Sequence, residues 1–343
     1  MSSLDKIRVA VLGYGHWGPH HLRVFNTIPH SEVLRVADMD SKRLEQAKKV
    51  APHVQGTKAA SEIFSNPEID AVIIATPTTT HFELAKKALK AKKHLLCEKP
   101  LCKTEKEGAE LVALAKENGC ILMVGHVFLY NSAINTMKGM IDSELLGDIY
   151  YATSTRTNLG PIRSDADVSY DLATHDISIF NWFFQAEPLS VSASGGEYLQ
   201  PGLKDVVFIS LRYPNNRLVH IHVSWIDPKK IRQMTLVGSK KMVTWNDLEP
   251  QTPIAVYDKG AMVTPGEGGF GEYLRVSMWD GDVRLPKIPN SEPMMVQANA
   301  FLDAIRNNRV EKSDGDFSLG VIRTLEAVDR SLKASGAPVE LSK

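Results

Sequence analysis

The chain has 343 residues, which is too long for one ordinary hydrophobic core and indicates two domains. Hydrophobic residues make up 43% of it, and 40 basic residues balance 40 acidic ones, so its formal net charge is zero. A chain without net charge lacks the overall field that attracts nucleic acid or an anionic membrane, so we predict that neither is a partner.

Targeting and redox signals are also lacking in the sequence. The first residues contain no apolar signal core, and no apolar run approaches the ~20 residues that span a bilayer, so we expect a cytoplasmic protein. The three cysteines, Cys97, Cys102 and Cys120, have no Cys-x-x-Cys spacing. We therefore expect buried thiols rather than a disulfide framework or a zinc site.

A short apolar run near the N-terminus leads directly into three glycines. Residues 7–12 are predicted to form a buried strand, and Gly13, Gly15 and Gly18 follow with Gly-x-Gly-x-x-Gly spacing. Such glycines permit a tight exit from the strand, close approach to a pyrophosphate and close packing of the next helix, whose N-terminus faces the anion. The loop, with the intervening Tyr14, His16 and Trp17, is predicted to bind a dinucleotide.

The same glycine spacing occurs in ordinary turns, so the prediction depends on the next elements of the chain. Apolar residues at helical spacing follow Gly18 and predict a helix. A second predicted strand then ends at Asp38, about 20 residues beyond the last glycine. A carboxylate there can bind the ribose diol and would repel a 2′-phosphate, while Met39 offers that phosphate no positive charge. We therefore predict NAD as cofactor, with NADP disfavoured.

Helices and strands continue to alternate up to about residue 125. We predict a helix over 41–50, a buried strand over 71–75, a helix capped by residues 78–80, a strand over 94–97, a helix from Thr104 and a strand over 121–124. Short, continuously apolar strands are typical of a parallel sheet that is covered on both faces. Residues 1–125 are thus predicted to form a doubly wound Rossmann domain of the α/β class.

From residue 126 onward the pattern changes. After a helix around residues 134–141, period-two strands are predicted over 149–158, 207–213, 219–225, 235–237, 242–245 and 254–257. The clearest has Val219, Ile221, Val223 and Trp225 on one face and His220, His222 and Ser224 on the other. Residues 126–343 are therefore predicted to form an α/β domain with an open-faced, mostly antiparallel sheet that assembles a homodimer or homotetramer.

The glycine-rich residues 260–271 are predicted to be a mobile loop. Two further helices, around residues 295–305 and 318–332, are predicted at the end of the chain.

Two segments carry side chains suited to proton transfer. Lys99 lies two residues beyond the end of a predicted parallel strand, where ligands bind, and Pro100 restricts its backbone; the alternative is a surface lysine in a turn. Asp171 and His175 have i, i+4 spacing on a predicted helix, so the carboxylate can orient the imidazole for a proton relay; the alternative is an ordinary helix pair.

Other polar residues give weaker signals. Arg156 and Asn158 share one face of a strand and are candidate substrate ligands, while Arg163 is either a phosphate contact or a solvated loop residue. His220 and His222 have a spacing that could hold a metal, but no third ligand follows nearby, so no metal site is predicted.

Together these motifs resemble the Gfo/Idh/MocA family, over essentially the whole chain. The resemblance rests on the glycine loop, Thr76-Pro77-Thr-Thr-Thr-His81, Glu98-Lys99-Pro100, and Asp171 with His175. It implies a bound NAD or NADP and oxidation or reduction at a sugar or cyclitol carbon. It further implies that Lys99 is the catalytic lysine and that Asp171 and His175 line the substrate site. The remaining motif residues, Thr76, Pro77, Thr78, His81 and Glu98, are assigned with Lys99 to the cofactor site.

The sequence also departs from the family pattern. Where many members have Arg-Phe-x-Pro, this chain has Phe128-Leu-Tyr-Asn131, and residues 167–170 replace a frequent glycine run. The segment from Ser224 to Pro228 is similar to members associated with surface-polysaccharide sugars, which favours a nucleotide sugar oxidised at C3. Three alternatives stay open: a free-sugar or inositol dehydrogenase, an NAD-dependent glycosidase that oxidises C3 transiently, and a non-catalytic nucleotide-binding sensor.

Overall fold

The computed structural model describes residues 6–164, 166–264 and 275–341, and they fall into two units. One unit contains Met1–Tyr130 and Ser291–Glu326, and the other contains Asn131–Asn290 and Ala327–Lys343. The boundary predicted from the sequence instead divides the chain once, after residue 125.

The first unit is built on alternating strands and helices. Its strands are β1 (Ile7–Leu12), β2 (Ser31–Ala37), β3 (Gln55–Thr57), β4 (Ala71–Ile74), β5 (His94–Cys97) and β6 (Leu122–Val124). Its helices are α1 (Gly18–Thr27), α2 (Ser41–Val50), α3 (Ala60–Phe64), α4 (His81–Lys90) and α5 (Glu105–Glu117).

All pairings in this sheet are parallel, in the order β3-β2-β1-β4-β5-β6. The residues of β4 are fully buried, as expected for a strand covered on both faces. The strand order reverses between β1 and β4, which makes the carboxyl ends of these two strands the place where a dinucleotide binds in such sheets. The predicted Rossmann fold is confirmed.

The second unit contains a mostly antiparallel sheet, as predicted. Its helices are α6 (Ser132–Asp142) and α7 (Thr174–Phe184), and its strands are β7 (Ile149–Leu159), β8 (Ser190–Gly196), β9 (Val206–Tyr213), β10 (Arg217–Ser224), β11 (Ile226–Gly238), β12 (Met242–Asn246), β13 (Ile254–Thr264), β14 (Arg275–Arg284) and β15 (Val339–Glu340). Within the described ranges the order is β14-β13-β12-β11-β7-β10-β9-β8-β15, and only β7 and β10 pair in parallel.

The two faces predicted for β10 differ as expected except at Ser224, which was predicted on the open face but is 3% exposed. Val219, Ile221 and Val223 of β10 are buried, whereas His220 is exposed and His222 half-buried. The Phe208 ring of β9 stacks on His222 with ring centroids 4.5 Å apart and is 41% exposed. The open face therefore carries an aromatic patch, which we define as Phe208, His220 and His222.

Residues near the C-terminus complete the first unit. Here α8 (Pro293–Asn307) and the first part of α9 (Gly315–Lys333) pack on the Rossmann sheet. The Phe301 ring meets Phe25 edge-on, Ile322 lies in the core beside α5, and the Ser313 carbonyl accepts from the Val124 amide at 2.8 Å. These later residues thus cover apolar groups of α1 and α5 and a backbone polar group of β6.

Some predicted elements need correction. Residues 260–264, predicted as part of a loop, belong to β13 and pair with β14, while 265–271 lie outside the described residues. Gly260 faces Trp279 in the ladder, and a Cβ on it would lie 2.2 Å from the indole ring, so this glycine permits close packing rather than a turn.

Two local predictions also differ at helix starts. Residues Thr78–Thr80 form a 3-10 turn before α4, and the Thr80 hydroxyl hydrogen-bonds with the Pro77 carbonyl oxygen and the Thr76 hydroxyl, each at 2.7 Å, instead of capping the helix. The Asp171 segment is a π-helical turn, Ser169–Ala173, that runs into α7.

The remaining predictions concern cysteines and membrane segments. Cys97 and Cys102 are buried free thiols, and burial raises the pKa of each, to about 12 for Cys102. Cys120 is only half-buried. None of the described helices has the length and hydrophobicity required to cross a membrane.

Candidate active site

The glycine loop between β1 and α1 has the shape that its spacing predicts. Gly13 has a φ of +89°, and a Cβ there would lie 2.6 Å from the Ala75 carbonyl oxygen at the end of β4. A Cβ on Gly18 would lie 2.2 Å from the Gly13 carbonyl oxygen, so both positions exclude a side chain. Gly15 instead faces open space: among the residues that the structure describes, a Cβ there would have only Arg43 Nη1 within 4 Å, at 3.8 Å. An open glycine beside a helix N-terminus fits the approach of a pyrophosphate.

Asp38 lies at the carboxyl end of β2, where the sequence predicts a carboxylate that binds the ribose of the cofactor. Its Oδ2 accepts the Tyr14 amide at 2.7 Å, and its Oδ1 accepts the Asp40 amide at 2.8 Å. Arg43 Nη1 lies 3.5 Å from Oδ2. The carboxylate therefore fixes the glycine loop, and each oxygen keeps a lone pair for a ribose hydroxyl.

The other predicted cofactor residues differ in accessibility. His16 and Trp17 are exposed at the start of α1, whereas the Tyr14 side chain is buried, and burial raises its pKa. Thr76 Cγ2 would be 2.9 Å from a Cβ on Gly13, so the Thr76-Pro77 turn lines the glycine loop, and Thr78 is buried behind it. The cradle at β1, β2 and β4 thus fits a dinucleotide.

Lys99 follows β5 at the carboxyl edge of the same sheet. It is 7% exposed, and the Lys99–Pro100 peptide bond is cis. Its backbone amide donates to Glu98 Oε2 at 3.3 Å. Strand β5, which leads to Lys99, is the neighbour of β4, which ends at the dinucleotide cradle. Lys99 and the cradle therefore lie at the same edge of one sheet, as predicted.

Glu98 uses its carboxylate within the protein. Its Oε1 lies 2.8 Å from His21 Nε2 of α1, and both side chains are buried, at 11% and 3% exposure. Burial raises the pKa of Glu98, but the hydrogen bond and charge of His21, with the charges of Lys99 and His81, outweigh it and hold the pKa below its usual range. Glu98 is thus a buried carboxylate that links α1 to the Lys99 turn.

His126, two residues after the end of β6, is a buried neighbour of Lys99 that no motif in the sequence singles out. Burial and then the Lys99 charge lower its pKa to about 3, against an opposing effect of Glu98. Neither ring nitrogen has a hydrogen-bond partner within the part of the chain that the structure describes. The ring packs edge-on against Phe317, with centroids 5.9 Å apart. His126 is therefore a neutral imidazole beside the lysine.

In the second unit, Asp171 is the centre of a polar network. Its Oδ1 accepts from Arg163 Nη1 and its Oδ2 from Trp225 Nε1, each at 3.3 Å. Gln200 Nε2 donates to the Arg163 carbonyl at 3.1 Å. The structure thus brings Arg163 and Asp171 together as a cation and a carboxylate, each partly exposed.

His175 is half-buried in the first turn of α7, and its carbonyl accepts the Ser178 hydroxyl at 2.7 Å. The residue after it, Asp176, forms a two-point ion pair with Arg156 of β7, with distances of 2.9 and 3.1 Å. Arg156, predicted as a substrate ligand, is thus a buried anchor that holds the start of α7 on the sheet. Asn158 is half-buried near the end of β7, with its amide against Gly160.

Two family models match the chain. The one described as "Oxidoreductase family, NAD-binding Rossmann fold" matches residues 7–126, and the "GFO/IDH/MocA C-terminal domain" matches residues 134–244. The protein belongs to the Gfo/Idh/MocA family.

Individual relatives agree with this assignment. An uncharacterized oxidoreductase of Escherichia coli (strain K12), YdgJ, is 30% identical over 72% of this chain and 73% of its own length. The UDP-N-acetylglucosamine 3-dehydrogenase of Acidithiobacillus ferrooxidans is 26% identical over 90% of this chain and 92% of its own. A solved structure of that organism's UDP-N-acetylglucosamine 3-dehydrogenase GnnA matches with a TM-score of 0.80 at 25% identity, covering 96% and 98% of the two chains.

As a Gfo/Idh/MocA member, the protein is an NAD-binding oxidoreductase of the sugar-dehydrogenase type that acts on a small molecule. The site residues missed from the sequence are His21, Arg43 as a partner of Asp38, His126, Gln200 and Trp225. Gln200 and Trp225 meet their partners across 37 and 54 residues, which no local pattern encodes, whereas Arg43 lies only five residues beyond Asp38.

Proposed function

We propose that this protein oxidises C3 of a nucleotide sugar, with NAD preferred over NADP. The observation that carries the substrate class is the match to a UDP-N-acetylglucosamine 3-dehydrogenase over 90% of the chain. The Ser224 to Pro228 segment supports the same class.

The chemistry divides between the cofactor and the protein. NAD, when bound, accepts the hydride from the substrate carbon. The hydroxyl on that carbon must lose its proton as the carbonyl forms, and Lys99 is the group proposed to take the proton. Its place at a strand end of the sheet that carries the glycine loop supports this role.

His175 is proposed to relay the proton to solvent, with Asp171 as the carboxylate that orients it. Arg163 and Asn158 are proposed substrate contacts, since both are partly accessible in the second unit. For Arg156 we propose a supporting role through Asp176 in place of a direct substrate contact.

The deciding experiment is a substrate screen. Purified protein and NAD are incubated with UDP-N-acetylglucosamine, UDP-glucose, free hexoses and inositols, and NADH is followed at 340 nm. NADH with nucleotide sugars, and a 3-keto product after trapping with hydroxylamine, is the expected result. NADH formation only with free hexoses or inositols would replace the proposal with the free-sugar or inositol alternative.

The same screen separates the other two alternatives. An aryl glycoside cleaved without accumulation of NADH would indicate a glycosidase with transient C3 oxidation. NAD binding without turnover of any of these compounds would indicate a sensor.

A further inference from the structure

The His81 ring contacts two backbone carbonyls of the first unit. Its Nδ1 lies 2.8 Å from the Pro100 oxygen, and its Nε2 lies 2.9 Å from the Thr76 oxygen. The residue is 1% exposed. Both ring nitrogens are therefore at hydrogen-bond distance from groups that only accept.

A neutral imidazole cannot satisfy both contacts. It carries one N–H and one bare lone pair, so one nitrogen would point its lone pair at a carbonyl oxygen in a buried position. Such an arrangement costs the desolvation of both groups and adds repulsion between them. Only a ring with a proton on each nitrogen donates to both oxygens.

We propose that His81 is held as an imidazolium that clamps the Thr76 and Pro100 carbonyls, and that it is thereby a positioning residue for Lys99. The second part rests on the proposed function, since it takes Lys99 as the proton acceptor. The first part concerns the resting protein alone.

A buried cation needs a counter-charge, and Glu98 supplies it. The charge of His81 is among the causes that hold the pKa of Glu98 below its usual range, so the two groups lie close enough to stabilise each other's charged forms. This carboxylate also interacts with His21, which hydrogen-bonds to it, with Lys99, and with the buried Cys97 and His126. A paired buried charge can persist where an isolated one would neutralise.

The clamp joins two loops that serve the reaction. Thr76 packs against Gly13 of the glycine loop, and Pro100 directly follows Lys99. Through its two hydrogen bonds the His81 ring fixes the distance between the turn that lines the cofactor cradle and the turn that carries the lysine. A misplacement of about 1 Å in such a constellation can cost roughly 100-fold in rate.

The protonation state can be tested in the protein without ligands. Two-bond ¹H–¹⁵N spectra of histidine-labelled protein are recorded from pH 6 to 9, and His81 is assigned by its loss in His81→Gln or, if that variant does not fold, by its NOEs to Thr76 and Pro100. We expect both nitrogens to give the protonated pattern at pH 7.5. An unprotonated nitrogen at pH 7.5 overturns the proposal.

Two variants test the positioning role. An asparagine amide reaches the place of Nδ1 and keeps the Pro100 contact, whereas a glutamine amide reaches that of Nε2 and keeps the Thr76 contact. With UDP-N-acetylglucosamine and NAD, we expect single-turnover hydride transfer to fall about 10- to 100-fold in His81→Gln and less in His81→Asn. Equal losses in the two variants, or none, remove the positioning role.

A control variant and a Lys99 variant distinguish a failure of the His81 proposal from a failure of the proposed role of Lys99. His53 is exposed in the same unit, and His53→Asn should leave both the rate and the His81 signals unchanged. If Lys99→Ala transfers hydride at the wild-type rate, the proposed function of Lys99 fails, whereas the NMR result for His81 stands on its own.

Discussion

The Arg43 guanidinium lies 3.5 Å from the Asp38 carboxylate, next to the open face of Gly15. A carboxylate here favours a ribose diol and a guanidinium favours a 2′-phosphate, so we predict that the balance between the two groups sets the cofactor preference. Since Asp38 is 8% exposed and held by two backbone amides, whereas Arg43 is 49% exposed, the carboxylate is the better fixed of the two.

We therefore expect tighter binding of NAD than of NADP at one ionic strength. Asp38→Ala should weaken NAD binding about 10-fold or more, because it removes a hydrogen bond to a charged group. Arg43→Ala should leave NAD affinity within about threefold of wild type. Both cofactors are titrated by tryptophan fluorescence, and NADP affinity equal to that for NAD in the wild-type protein would contradict the preference.

Lys99→Ala should lower single-turnover NADH formation by ~100-fold or more, the usual contribution of general acid–base catalysis, with little change in cofactor affinity. His175→Ala should cost less if it only relays the proton. Lys103→Ala, at an exposed lysine four residues away, is the control. A severe loss in His175→Ala alone would transfer the role of base to the histidine.

The Arg156–Asp176 pair should matter for stability more than any surface pair. Its side chains are 4% and 2% exposed, and removing one partner leaves a buried charge without compensation. Asp176→Ala should reduce the free energy of unfolding by about 3–5 kcal/mol. The control, Asp316→Ala, breaks the exposed pair with Lys116 and should cost at most about 1 kcal/mol. Urea unfolding measures both, and similar losses in the two variants would be inconsistent with this reasoning.

His126 makes the protein sensitive to acid. Its pKa is about 3 in the folded protein, whereas in the unfolded chain it is about 6.5. Below pH 6.5 the unfolded state binds a proton that the folded state does not, so the stabilisation present above pH 6.5 is lost as the pH falls toward 3.

His126→Phe removes this titration and also two polar atoms without hydrogen bonds. Between pH 7.5 and 5 the free energy of unfolding should fall by about 2 kcal/mol less in the variant than in wild type. Urea unfolding at the two pH values gives the difference, in which the other titrating groups cancel. Equal pH dependence in both proteins would mean that the ring already titrates normally when folded.

The aromatic patch on the second-unit sheet predicts self-association as a homodimer or homotetramer. Phe208→Glu places a charge on that face and should shift light scattering at micromolar concentration toward monomer. Leu248→Glu, at an exposed apolar residue in a turn outside the patch, should not. A wild-type protein that is monomeric under these conditions would rule the assembly out.

The sequence predicted the Rossmann elements well because each signal was local. The apolar run of β4 and the glycine spacing after β1 identify buried strands and a phosphate loop from a few adjacent residues. β8, whose Ser190–Gly196 segment is rich in serine and glycine, has no such signal, and it forms because β9 pairs with it.

Site partners were harder to predict for the same reason. The sequence pointed to Asp171 and Glu98, but it did not predict that Asp171 meets Trp225, 54 residues away, or that Glu98 meets His21, 77 residues away. Hydrogen bonds between such distant residues are fixed by tertiary packing. Neither the periodic spacing of apolar residues nor a short sequence motif encodes them. The roles assigned to Lys99, Asp171 and His175 remain predictions that the variants above test.

The return of the chain to the first unit has a consequence for biosynthesis. The end of β6 is bound by Ser313 and Gln297, which leave the ribosome only after strands β7 to β14 of the second unit have been made. At roughly 5–20 residues per second, the nascent Rossmann sheet waits on the order of ten seconds with part of its surface uncovered. A fragment ending at Tyr130 would reproduce that unfinished state permanently, and we expect it to aggregate where the full chain folds.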